Sequence, residues 1–170
     1  MKDNFIKKNI LFSFFIGLWS SISLADDTVV AVNIKRLSLD MALAISQAAI
    51  TECRKRGIQI AVVVIDRGGN TQVALRDTVA ADITLRIAPE KAYAALSFNI
   101  PTSQLVNRAN SPLGKLDGLV MAAGGLPINV GGEKFGAIGV SGATTGIIDE
   151  ECAKAGIKSV IDDLEMNSSM

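Results

Sequence analysis

The chain has 170 residues, with 17 basic and 17 acidic side chains and no histidine. This length favours a single domain. The balanced charge, without Lys/Arg clusters and with few aromatic residues, argues against a nucleic-acid-binding protein. Without histidine, the chain cannot support Ser-His-Asp or Cys-His catalysis, HExxH zinc sites or His-ligated haem.

The first 25 residues predict a cleaved export signal. Lysines precede an apolar run at 10–22, and the sequence SLA at 23–25 places small residues where a signal peptidase reads. A membrane anchor is the alternative, but a span needs about 20 apolar residues. Cleavage leaves 145 residues from Asp26, with 14 basic and 16 acidic side chains and a net charge of −2. We therefore expect a periplasmic or extracellular chain without membrane association.

The next part of the chain predicts an arm, a helix and a hairpin. Residues 26–36 predict an edge strand or an ordered arm. Ser38 is a suitable N-cap for an amphipathic helix over 39–56. The β-branched run at 58–65 predicts a buried strand. A DRGGN turn joins it to an antiparallel strand at 71–76.

The C-terminal half predicts helices around a strand meander. Pro89 is suited to the first position of a helix that runs to Asn99. Glycine turns separate three further strands: 118–122, 126–130 and 134–141. A last helix spans about 147–165 with an interruption at Gly156, and residues 166–170 predict a flexible tail.

This order of elements predicts an α+β sandwich. The expected sheet has five mostly antiparallel strands, and the N- and C-terminal helices pack on one of its faces. Residues 37–165 form the predicted domain.

The glycine-dense run at 114–146, which holds ten of the fifteen glycines, is the strongest candidate for a binding site. Glycine inside a strand marks a bulge or a close backbone approach. A flat ligand or a neighbouring chain would lie against this bare backbone; alternatively, the glycines permit tight packing of a helix on the sheet. The candidate residues of the run are Gly124, Gly125, Pro127, Gly139, Ser141 and Gly142.

Two charged residues join these candidates. Asp149 follows a loop whose free N–H groups would receive a carboxylate. Its own charge repels an anion, so capping the helix or holding a cation are the alternatives. Lys91 either pairs with an acidic group of a ligand or is solvated on its helix.

Cys53 and Cys152 are the only cysteines, and each lies on the apolar stripe of a predicted helix. Export to an oxidising compartment would permit a disulfide. Two buried free thiols are favoured, because a bridge needs a Cα separation near 5.5 Å.

Three motifs resemble signatures of the GlcG/HbpS-like family: GGLPI at 124–128, GAIGVSG at 136–142 and DEECAKAG at 149–156. The first helix, the hairpin and the EKAYAA helix also occupy the positions that they have in that family. The resemblance implies a profilin-like fold that often assembles as a homo-oligomer, with octamers known. Members include haem-binding proteins and proteins encoded near glycolate or diol metabolism.

Some members bind haem or iron through histidine, and this chain departs from them in having none. A haem here would depend on Met, Tyr, Lys or hydroxyl contacts or on a purely apolar pocket. The cofactor therefore stays open at this stage.

These observations predict an exported, non-enzymatic binding protein. It would hold a small organic or tetrapyrrole ligand in the glycine-rich pocket, as a homo-oligomer. The alternatives are a small-molecule enzyme or accessory protein in glycolate- or diol-type metabolism, and a structural oligomeric partner protein. The binding protein is favoured over the enzyme because familiar catalytic groups are missing.

Overall fold

The structure, a computed structural model, describes residues 31–168, with side chains up to residue 166. The predicted signal at 1–25 lies outside the described residues and stays a prediction. Residues 31–38 form neither helix nor strand. No helix within 31–168 combines the length and the apolar character that crossing a membrane requires.

Within residues 31–168 the sheet has four antiparallel strands in the order β2-β1-β4-β3. Their bounds are β1 Ala61–Asp66, β2 Thr71–Arg76, β3 Gly125–Val130 and β4 Glu133–Ser141. Strand β1 is buried throughout, as its β-branched sequence predicts. Residues 137–141 of β4 beside it are also buried.

The prediction of a fifth strand at 118–122 was wrong. This segment pairs with no strand of the described sheet; instead, the N–H of Val120 donates to the carbonyl of Glu90 on a helix, at 3.4 Å. Gly118 has a φ of +81°, which turns the chain out of the extended conformation. The segment therefore runs beside a helix and not along the sheet.

In the part of the chain that the structure describes, four α-helices pack on the two faces of the sheet. They are α1 Leu39–Lys55, α2 Thr84–Phe98, α3 Gly146–Lys158 and α4 Ile161–Ser168, with short 3₁₀ helices at Thr102–Arg108 and Pro112–Lys115. The terminal helices share one face, where their apolar side chains meet Val62 and Val64 of β1. The intervening residues Val63 and Ile65 face alanines of α2 on the other side. The α+β class is confirmed, with a helix layer on each face.

Two helix boundaries differ from the sequence prediction. Helix α2 begins at Thr84, so Pro89 lies inside it and not at its start. Gly156 does not break α3, which continues to Lys158. A Cβ atom at this position would lie 2.6 Å from the carbonyl oxygen of Ile45 on α1. This glycine permits α1 and α3 to pack closely. The break comes after Lys158, and α4 then continues to Ser168, through part of the predicted tail.

A disulfide joins these two packed helices. Cys53 of α1 and Cys152 of α3 are fully buried, and their Cα atoms lie 5.7 Å apart. The preference for two free thiols was therefore wrong. Each cysteine faces the other helix, a proximity that spacing within either helix could not reveal.

Candidate functional site

A cleft of about 670 Å³ opens where α2, the segment before β3 and the loop into α3 meet. Its walls are mainly apolar side chains: Ile83, Ile87, Val106, Val120, Ala122 and Ile147. Its polar lining includes Lys91, Ser141 and Asp149. An apolar cleft of this size with a few convergent polar groups is typical of small-molecule sites.

A buried ion pair contributes to the lining of the cleft. Lys91 comes from α2 and Asp149 from α3, helices on opposite faces of the sheet that meet at the end of β4. The Lys91 Nζ lies 2.9 Å from Asp149 Oδ2, and the two side chains are 6% and 3% exposed. Nζ also donates to the carbonyl oxygen of Val140, at 3.0 Å. An ammonium has three hydrogens, and among the residues that the structure describes these two are its acceptors.

Gly124 makes room for this pair. A Cβ atom at this position would lie 2.7 Å from Lys91 Nζ and 2.6 Å from the Val140 carbonyl oxygen. Its φ of +125° is also one that residues with side chains rarely adopt. The close backbone approach predicted from the sequence is therefore real at this position, and its occupant is the protein's own lysine.

Asp149 accepts a hydrogen bond from one of the loop N–H groups that were predicted to bind the carboxylate of a ligand. Its Oδ1 accepts from the Ala143 N–H at 2.9 Å. Burial raises the pKa of Asp149 above its ordinary value, and the Lys91 ammonium and the N–H groups of Ala143 and Gly142 only partly offset this effect. The loop N–H of Ala143 is therefore bonded to a carboxyl group of the chain itself, on α3.

Four of the eight predicted ligand-binding residues line the cleft: Lys91, Ser141, Gly142 and Asp149. Three others do not line it. A Cβ atom at Gly139 would lie 1.9 Å from the carbonyl oxygen of Ala88, and one at Gly125 would lie 2.3 Å from that of Lys91. Both glycines therefore serve tight packing of α2 on the sheet. Pro127 pairs with Ala137 within the sheet.

The sequence prediction missed most of the apolar walls. Ile83 is the N-cap of α2 and Ile87 lies in its first turn, whereas the sequence predicts that this helix starts at Pro89. Val120 and Ala122 belong to the segment assigned to a strand. A helix start without a side-chain cap gives little local signal, because Ile83 makes no capping hydrogen bond.

The described residues thus define an α+β domain with one antiparallel sheet, in which helices on opposite faces close an apolar cleft around a buried ion pair. Residues 37–158 match the family described as haem degrading protein HbpS-like. The chain belongs to this family, as the motifs at 124–128, 136–142 and 149–156 predicted.

Relatives and solved structures agree with this assignment. Protein GlcG of Escherichia coli K12 is 34% identical over 108 residues, which cover 62% of this chain and 81% of GlcG. A double mutant of HbpS from Streptomyces reticuli is 36% identical, with a TM-score of 0.73 over 76% of this chain and 90% of that one.

A complex of PduOC with haem has a TM-score of 0.67 over 73% of this chain and 94% of that one. At 23% identity it shows likeness of fold alone.

Proposed function

We propose that this protein binds a small organic molecule in the cleft beside Lys91 and Asp149. The observation that carries this proposal is an ion pair buried to 6% and 3% exposure in the lining of an otherwise apolar cleft. Such a pair is costly to bury and contributes little net stability in general. Because the pair lies in the lining of a cleft of ligand size, it can serve as the polar contact that orients a bound ligand.

The charges of the pair restrict the chemistry of this ligand. Lys91 has one N–H beyond those received by Val140 and Asp149, which would donate to an acceptor oxygen of the ligand. The positive and negative charges at this end of the cleft cancel, so the ligand needs no large charge of its own. An apolar body with one oxygen acceptor is therefore the best match.

A tetrapyrrole is the second candidate, supported by the description of the family and by the haem complex of PduOC. The apolar walls suit the face of a porphyrin. The donor set does not suit axial ligation, because none of the described residues that line the cleft is His, Cys, Met or Tyr, and Asp149 holds Lys91. A tetrapyrrole here would depend on its apolar face and its propionates.

Export and self-association complete the proposal. The predicted signal would send the chain to the periplasm or outside the cell, where the Cys53–Cys152 disulfide suits the oxidising compartment. The exposed apolar side chains of Leu39, Val79 and Leu116, which do not line the cleft, suit contact with a second copy of the chain. We therefore propose a homo-oligomer, with the octamer of related proteins as its expected form. A monomer in light scattering would contradict this part.

The binding proposal is tested by filling the cleft. Ala122 is an exposed residue of the wall, so Ala122→Trp should obstruct the opening; Ala74→Trp is the matched control on the exposed face of β2. We expect anilinonaphthalene sulfonate fluorescence and haemin absorbance titrations to saturate with the wild type and the control. Ala122→Trp should weaken binding by about tenfold or more, which corresponds to about 1.4 kcal/mol. Equal binding by all three proteins, or no binding by any, would reject the proposal.

A further inference from the structure

We infer that the cleft takes ligands with an aldehyde or ketone group, and that this carbonyl condenses reversibly with the amine of Lys91 to form an imine. The inference deepens the proposed function and rests on it, because it names the group that a bound ligand presents to Lys91. It depends on three features found together: a buried lysine, a carboxylate in contact with it and apolar walls around both.

The first feature is the placement of the amine. A lysine becomes a nucleophile when it is desolvated in an apolar site and loses its proton. The side chain of Lys91 is 6% exposed and still contributes to the lining of the cleft. Its Nζ is fixed by the Val140 carbonyl and by Asp149, so the amine is held in one place at the lining.

The second feature is a base in direct contact with this amine. Asp149 Oδ2 lies 2.9 Å from Nζ, within reach of a proton transfer. Oδ1 is occupied by the Ala143 N–H, so Oδ2 is the oxygen that exchanges a proton with Lys91. The transfer replaces two buried charges by two neutral groups, which a desolvated site favours. No histidine is needed for this step.

The reaction balances within the pair and the ligand. Lys91 gives one proton to Asp149, and the nitrogen lone pair then forms a bond to the carbonyl carbon while the C=O π electrons move to oxygen. A proton moves from nitrogen to that oxygen, which gives a carbinolamine. Its hydroxyl takes the proton back from Asp149 and leaves as water. The product is a protonated imine beside the Asp149 carboxylate, with the same charges as the starting pair.

The third feature is the apolar wall. Ile87, Val120 and Ile147 line the same cleft as the pair. Apolar walls limit the access of water, which would hydrolyse the imine and reverse the reaction. They also select a carbonyl compound with an apolar body, in agreement with the proposed class of ligand.

Reductive trapping tests this inference. The folded protein is incubated with benzaldehyde and sodium cyanoborohydride at neutral pH, and the labelled lysines are quantified by peptide mass spectrometry. Lys154, exposed on α3, is the internal reference. We expect Lys91 to be labelled about a hundredfold faster than Lys154 or more, the lower end of the effect that a positioned base supplies. Asp149→Asn should remove this advantage and leave the labelling of Lys154 unchanged.

A second measurement keeps the test valid if Asp149→Asn fails to fold. Benzyl alcohol has the shape of benzaldehyde without its carbonyl, so in the wild type it should slow labelling of Lys91 and leave Lys154 unaffected. Displacement of anilinonaphthalene sulfonate by benzaldehyde, with Lys91 labelled no faster than Lys154, would overturn the imine and preserve the binding proposal. If benzaldehyde neither displaces the probe nor labels Lys91 faster than Lys154, the imine and the binding proposal are both overturned.

Discussion

At the scale of single residues, Lys91 and Asp149 depend on each other because each would be a lone buried charge without its partner. We expect Lys91→Met or Asp149→Leu alone to lower the free energy of unfolding by about 3–5 kcal/mol. The double variant should cost much less than the sum, since it leaves no charge unpaired. Urea denaturation of all four proteins measures this coupling. Additive losses would show that the two side chains do not form a pair in solution.

The glycines show which residue-level inferences the sequence permits. Their density at 114–146 predicted close backbone approaches, and this is true of Gly124, Gly125 and Gly139. What approaches each one depends on tertiary contacts. Gly124 faces the Lys91 ammonium, whereas Gly139 faces the carbonyl oxygen of Ala88 on α2. Composition alone cannot separate a glycine that makes room for a site from one that lets a helix pack.

At the scale of elements, the disulfide fixes α1 against α3. Its cysteines are 99 residues apart, so the bridge strongly restricts the unfolded chain. We expect Cys53→Ala/Cys152→Ala to lower the free energy of unfolding by about 2–5 kcal/mol. Dithiothreitol should destabilise the wild type and leave the variant unchanged. Two free thiols in the unreduced, denatured wild type would contradict this account.

A second contact between elements positions one wall of the cleft. The carboxylate of Glu150 on α3 accepts from the N–H and the hydroxyl of Ser103, at 3.2 and 2.9 Å. Ser103 lies in the 3₁₀ helix that carries Val106, a residue of the wall. The contact therefore ties this wall to α3.

We expect Glu150→Gln to weaken binding of anilinonaphthalene sulfonate several-fold, because a neutral amide accepts these hydrogen bonds less strongly than a carboxylate. Glu151→Gln is the matched control, since Glu151 pairs with Arg56 and does not line the cleft. Fluorescence titration of the wild type and of both variants measures their affinities for the probe. Equal weakening by both variants, or no weakening by Glu150→Gln, would contradict a specific role of the Glu150–Ser103 contact in binding.

The elements also show where sequence patterns fail. Helix α1 was predicted to within one residue, because its Ser38 cap, apolar stripe and following Gly57 are all local signals. Residues 118–122 were misassigned because their apolar run suits a strand, whereas the Val120 N–H bonds to α2. The Lys91–Asp149 pair joins residues 58 positions apart, which no pattern within one element reveals.

At the scale of the whole molecule, two buried aspartates give opposite dependences of stability on pH. The hydrogen bond from Arg54 is the main cause that holds the pKa of Asp77 below its ordinary value. Its stabilising contribution is therefore present above the ordinary value of about 3.9 and is lost as pH falls through the lower folded-state pKa. The raised pKa of Asp149 has the reverse sign, so stability falls as pH rises from the ordinary value towards the folded-state pKa.

We expect Asp77→Asn to melt at a lower temperature than the wild type at neutral pH, with a difference that shrinks as pH falls below about 3.9. Asp82→Asn is the matched control, because the Asp82 side chain is 94% exposed in its contact with Arg76. Thermal melts across this range by circular dichroism provide the measurement. A difference that grows on acidification would contradict the assigned direction.

The central claim is that the cleft between α2 and α3 is where the protein binds its ligand. The most direct test of this location is a titration of the ¹⁵N-labelled protein with anilinonaphthalene sulfonate, followed by amide NMR spectra. The account predicts that the largest shifts fall at Val106 and in 83–91, 120–123 and 141–149, the parts of the chain that line the cleft. Shifts concentrated elsewhere, or a spectrum that the probe leaves unchanged, would contradict it.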